Sequence, residues 1–300
     1  KKEKATHYSE ISLDINDQDI WNRMNHGFIL YNEEKYPEAR VLFSRLLKDY
    51  KHHGHAWYER ARCDQELGRQ HQALRGFQIA KNLDPHIPYP YCEIACIYAY
   101  HQEDYEKAIA EINEGLENAS ATDYGLLMTL GDFYIAQENY AGAKECYEKV
   151  LEHHPDEAAP VLAYTKIIDN NDRAIDFIKH MAEKFLLDYS FLIDAGEWLM
   201  QNATADDDKQ KALQWLETGI SETNENLDYY WNLYVNLIEN TQFNDRGRLF
   251  LQEQLEMKHH GNISLMCYIG CLFEADKQLE TAEQWFRKAL HEEENTFPLY

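Results

Sequence analysis

The chain has 300 residues and carries 29 lysines and arginines against 53 aspartates and glutamates, a formal net charge of −24. Such a surplus repels a polyanion over long range and argues against nucleic-acid binding, which needs basic groups to neutralise phosphates, while no apolar run approaches the roughly 20 residues that span a bilayer. Six cysteines at no disulfide-framework spacing, and no signal-like apolar core in residues 1–20, point to a soluble chain in a reducing, cytoplasmic setting.

Residues 1–19 are polar and read as a frayed lead-in. From Ile20 onward small and aromatic residues recur at a near-constant period. In 20–53, Gly27 sits in a first amphipathic run, Tyr36-Pro37 at a turn where proline suits a first helical position, and Ala39 and Phe43 in a second run. In 54–87 the same layout is fullest: Trp57 and Ala61, a turn at Leu67-Gly68-Arg69, then Ala73, Phe77 and Ala80, closed by Asp84-Pro85. In 88–123, Ala95 keeps the 34-residue register but Ala108 is displaced by one, which predicts an extra residue in the intervening turn. In 124–157 the markers are Gly131 and Tyr134, then Tyr140, Ala143 and Tyr147, then Pro155.

The pattern then loosens. The stretch 158–188 is short, its second run starting directly after Asn170-Asn171-Asp172. In 189–224, Ala195-Gly196 and Trp198 precede a polar insert, NATADDDKQ, before Ala212, Leu216 and Gly219. Register returns in 228–261 with Trp231, Val235 and Gly247, and in 262–297 with Tyr268, Ala282, Phe286 and Ala289; 298–300 form the end. Small residues recur because two antiparallel helices approach closely only where a side chain is Gly or Ala, and added methylenes there cost about 1–3 kcal/mol.

Eight helix-turn-helix units with these markers resemble the tetratricopeptide repeat. The resemblance covers nearly the whole chain, most closely the first four units. It implies an all-α, right-handed superhelical solenoid of about eight repeats over 20–297, whose first helices line a concave groove that binds a protein or peptide. Family positions one turn apart on the first helix, carried over here, are Met24 and Phe28, Tyr58 and Arg62, Cys92 and Cys96, Met128 and Asp132, Leu162 and Lys166, Ile193 and Glu197, Asn232 and Asn236, and Met266 and Gly270. Tyr31 and Tyr100 lie nearby. The implied groove is aromatic and sulfur-bearing in its first half and polar in its second, where Glu239 joins Glu197 and the asparagines. Asparagine amides both donate and accept, as an extended peptide backbone requires. The second half of the chain carries −16 and the first −8, which favours a partner with a basic segment. The family's clamp for chaperone C-terminal carboxylates needs Lys, Asn and Arg where this chain has Met24/Phe28, Tyr58/Arg62 and Cys92/Cys96, and it cannot be assembled.

Nothing in the sequence marks a catalytic centre, a cofactor or a metal. The Cys92/Cys96 and Cys267/Cys271 pairs lack the four ligands of a zinc site and read as buried small residues. The pairs His52-His53, His153-His154 and His259-His260 read as solvated turns between repeats, and Asp206-Asp207-Asp208 as a solvated loop rather than a calcium site. Asn118, Asn202 and Asn262 begin glycosylation acceptor patterns that matter only in a secreted chain. The chain begins without Met and ends in FPLY, as a piece of a longer protein would. With Trp285, Leu290 and Phe297 at that end, the last helix reads as uncovered, to be met by further repeats, by a homodimer partner or by another protein. The expected function is a non-enzymatic interaction scaffold or adaptor. The alternative is a regulatory sensor segment that takes a small peptide or metabolite inside the superhelix and controls an attached domain.

Overall fold

A small residue on one helix and an aromatic ring sixteen positions later on the next set the geometry of several helix pairs. A Cβ added at Gly131 would lie 2.5 Å from the ring of Tyr147, and one at Gly270 2.6 Å from the ring of Phe286. Gly27 and Phe43 meet in the same way. The rings are therefore held edge-on against bare backbone, and any side chain at the glycine would force the pair apart.

A computed structural model describes residues 19–239 and 241–296, and among them every regular element is helical. The architecture is an all-α helical-repeat solenoid. It divides into two compact units, Lys1–Asp156 and Glu157–Tyr300, and the division falls where the sequence spacing loosens. The described helices of the first unit are α1 (Ile20–Asn32), α2 (Tyr36–Asp49), α3 (Gly54–Glu66), α4 (Gln70–Leu83), α5 (Tyr89–Cys96), α6 (Tyr105–Asn118), α7 (Tyr124–Ala136) and α8 (Tyr140–His153). Those of the second are α9 (Ala159–Thr165), α10 (Asn171–Ala182), α11 (Tyr189–Asn202), α12 (Asp206–Glu222), α13 (Leu227–Ile238), α14 (Asn244–Met257), α15 (Ile263–Ala275) and α16 (Leu279–Thr296). Within each unit a helix packs on its neighbours in sequence, and first helices also touch across repeats, as α5 does α7 and α13 does α15.

Short polar residues start many of these helices. Asp19, Asp104, Asp123, Asn170, Asp188 and Asn262 each accept a hydrogen bond from a first-turn amide, satisfying a donor the helix cannot pair itself. The turns inside the pairs are alike in five repeats, where one residue takes a left-handed conformation: Glu34, Gly68, Glu103, Glu138 and Lys277, with φ between 55° and 71°.

That uniformity corrects one expectation. The extra residue of the third repeat is not in its turn, which keeps Glu103 in the left-handed position. It lies at the end of the first helix, where Ile97–His101 widen into a π-helical turn following α5. A single inserted residue is accommodated within a helix in this way at the loss of little hydrogen bonding. A second correction concerns the acidic insert. Asp206, Asp207 and Asp208 are not a loop; they form the first turn of α12, where carboxylates complement the helix dipole, and Asp208 also holds Lys179 of α10 at 2.6 Å.

Ion pairs join second helices of adjacent repeats. Lys81 of α4 reaches Glu111 and Glu114 of α6 at 2.7 and 3.2 Å, and Arg246 of α14 makes a two-pronged contact with Glu217 of α12 at 2.7 and 2.8 Å. Asp64 and Arg248 are buried with partners of opposite charge. Asp64 of α3 is fully buried, its carboxylate 2.5 Å from Arg40 of α2 and within 4 Å of Arg60 and Arg69. Arg248 of α14, 4% exposed, pairs with Asp245 and Asp276, donates to the Leu272 carbonyl at 3.0 Å and stacks on Phe273.

Candidate functional site

In the first unit the faces of α1, α3 and α5 carry a continuous set of rings. Phe28 stands edge-on to His55 with centroids 5.9 Å apart, His55 lies 6.1 Å from Tyr58, and Tyr58 lies 6.1 Å from Tyr89. Carboxylates alternate with them. The Tyr31 hydroxyl donates to Glu66 at 3.0 Å, and that of Tyr58 to Glu93 at 3.4 Å. Burial pushes the Tyr31 phenol up to about 12 and that of Tyr58 higher still, so both remain donors at neutral pH. Arg62 lies over the Tyr31 ring at 4.2 Å and pairs with Glu59 at 3.1 Å. Tyr89 and Tyr100 are 58% and 60% exposed. Asp132 is exposed and accepts the Tyr147 hydroxyl at 2.7 Å, and Met128 is half-buried.

Met24 does not belong to this wall. At 4% exposed it packs with Phe43 and Leu46 in the core of the first pair, because α1 turns that position inward. In the second unit Ile193 and Met266 are buried for the same reason, and Gly270 is the slot for Phe286.

The second wall is polar. Asn236 donates to Asn232 at 2.6 Å, and Asn232 donates towards the Tyr268 hydroxyl at 3.4 Å. Both asparagines and Glu239 are exposed. Between α9 and α11, Leu162, Lys166, Asp194, Glu197, Trp198 and Gln201 line a cleft of about 270 Å³. Burial, and then the neighbouring Glu197, push the Asp194 carboxyl up, with Lys166 opposing.

A profile described as "Tetratricopeptide repeat" matches residues 125–157, the α7–α8 pair. The C-terminal part of a TPR repeat-containing protein from Cytophaga hutchinsonii aligns over 76% of this chain and 94% of that one, with 18% identity and a TM-score of 0.52. One helix pair thus matches the tetratricopeptide repeat, and most of the chain shares its fold with a solved protein built from such repeats. A tetratricopeptide repeat protein from Parabacteroides merdae matches 96% of this chain and 92% of its own, with 12% identity and a TM-score of 0.47. Human IFIT1, as a dimer with m7Gppp-AAAA, matches 96% and 77% at 14% identity and a TM-score of 0.46. No curated protein matches the sequence. Tetratricopeptide repeats are in general interaction scaffolds rather than catalytic folds.

The side groups that could suggest chemistry are mostly occupied in packing. Burial raises the Cys92 thiol to about 12 and the Cys96 thiol to about 11, with Glu93 and Asp132 adding to the latter, so neither is a ready thiolate. The histidines are not all solvated: His53 caps α3, His154 contacts the Thr122 carbonyl at 2.8 Å, and His259 stands edge-on to Trp231 at 5.0 Å. Among the described residues no group of three metal-ligating side chains forms, and no helix is long and apolar enough to cross a membrane. Each acceptor asparagine uses its own amide inside the fold: Asn118 donates to the Tyr91 hydroxyl, Asn202 to the Trp198 carbonyl, and Asn262 caps α15. On α16, Trp285 is half-buried and Leu290 is 56% exposed, whereas Phe297 lies outside the described residues. Tyr89, Glu93, Asp194 and Tyr268 were not expected on the walls. Tyr89 alone carried a signal, an aromatic between two prolines at a helix start.

Proposed function

We propose that the chain is a non-enzymatic adaptor that binds a protein or peptide segment along its first-helix walls. The observation that carries this reading is the pair of exposed tyrosines, Tyr89 and Tyr100, on a wall already rich in rings and carboxylates. Both rings are largely in water, and tyrosine is among the residue types enriched at binding hot spots. On the second wall the asparagine pair offers donors and acceptors to an extended backbone. Its excess of carboxylates favours a partner with a basic segment. A cytoplasmic location belongs to the same proposal and fits six free cysteines.

Tyr89→Ala/Tyr100→Ala tests it. The double variant loses binding to the partner captured by the parent chain, with an unchanged melting transition, since both rings are largely in water. Tyr58→Ala is not the clean test its position suggests, because Tyr58 packs 5.5 Å from Phe77 in the core. Equal capture by parent and double variant would remove the wall assignment.

A further inference from the structure

Two repeat junctions of the first unit share one frame but hold opposite charges. Counted back three residues from the left-handed turn position, Tyr31 on α1 corresponds to Tyr100, because Glu34 and Glu103 occupy that turn position. The π-helical turn makes this match: without its extra residue the position would fall on Ala99, which is buried. Across each junction, the residue after the small one on the facing helix is Arg62, after Ala61, and Asp132, after Gly131.

At the first junction the protein fills the site itself. The Arg62 guanidinium lies on the Tyr31 ring at 4.2 Å and is paired with Glu59 at 3.1 Å. At the second junction the ring recurs with a carboxylate in place of the cation. Tyr100 is 60% exposed, with Phe133 edge-on at 6.0 Å. On the facing helix Thr129 stands three residues before Asp132, where Glu59 stands three before Arg62; Glu93, on the Tyr100 helix, instead accepts the Tyr58 hydroxyl of α3. Asp132 accepts the Tyr147 hydroxyl and makes no ion pair among the described residues.

We propose that Tyr100 and Asp132 form a subsite for an arginine side chain of the bound segment, taking the guanidinium that Arg62 supplies internally one junction away. This deepens the adaptor reading and rests on it. A planar guanidinium can lie on a phenol ring while donating edgewise to carboxylates, which a lysine ammonium does less well. Glu93 and Asp132 also bear on Cys96, raising its thiol, which locates negative potential at that point of the wall.

The test uses fluorescein-labelled heptapeptide pools, randomised except for a central Arg, Lys, Gln or Glu, on the full chain. The parent retains the Arg pool about tenfold better than the Gln pool, with Lys between. Asp132→Asn, which keeps an acceptor for Tyr147, reduces that preference. Asp132→Arg abolishes it by filling the site as Arg62 does. Tyr100→Leu removes the ring from an exposed position and serves if Asp132→Arg melts early by circular dichroism. An Arg preference equal in parent, Asp132→Arg and Tyr100→Leu overturns the subsite and leaves the adaptor reading standing. Retention of no pool by the parent overturns both.

Discussion

The first unit buries a carboxylate among arginines, and the second buries an arginine among carboxylates. Asp64 has three cationic neighbours, from α2, from its own helix and from the turn that follows. Arg248 depends chiefly on Asp276, since Asp245 is 89% exposed and well hydrated without it. Arg40 and Arg248 stand at the same place, one residue after the small position of the second helix, and each reaches the first pair-helix of the next repeat or the turn after it. The same junction can therefore be tied by either sign of buried charge. What differs is redundancy, and redundancy decides how much one substitution costs.

Asp276→Ala breaks this comparison most sharply. It leaves Arg248 buried with a carbonyl and a solvated carboxylate, and should lower the stability of the second unit by about 3 kcal/mol in urea unfolding. Gly131→Val comes next, at about 1–3 kcal/mol, because the Tyr147 ring already touches that backbone. Arg40→Ala should cost only about 1 kcal/mol, since Arg60 and Arg69 remain near Asp64. A loss as large as that of Asp276→Ala would show that the two flanking arginines do not compensate.

Acid adds a further contrast. Hydrogen bonds from Arg248, and then from Asn244, hold the Asp276 carboxyl below its usual range. A carboxyl lowered in the folded state contributes stability above its unfolded value, near 4, and loses it as pH falls through the folded value. Melting temperature should therefore fall below about pH 4 in the parent and less steeply in Asp276→Asn. The smallest expected effect is Glu138→Gly, which relieves a left-handed glutamate that Gly68 avoids and should gain roughly 0.5 kcal/mol after the glycine's own entropic loss.

Helix pairs were legible because their signals are local. Gly131 and Tyr147, or Ala61 and Phe77, announce a close contact by spacing alone, and Pro155 and Asp84-Pro85 mark ends. The walls were legible only in part. Tyr58, Arg62, Asn232 and Asn236 lie where the repeat frame puts them, yet Met24 turns into the core and the Asp206-Asp207-Asp208 run begins a helix. A residue's side of a helix depends on a rotation of a few tens of degrees, which a repeat count does not resolve.

The sequence by itself determined the element type, the pairing of neighbours and the net charge, because each follows from periodicity and composition along the chain. Only the tertiary structure decided that the extra residue of the third repeat enters a helix as a π turn, exposing Tyr100. It alone brought Asp132, thirty-two residues later, to the junction where Arg62 would otherwise be matched. Contacts across repeats depend on where whole helices sit, and no local pattern carries that information.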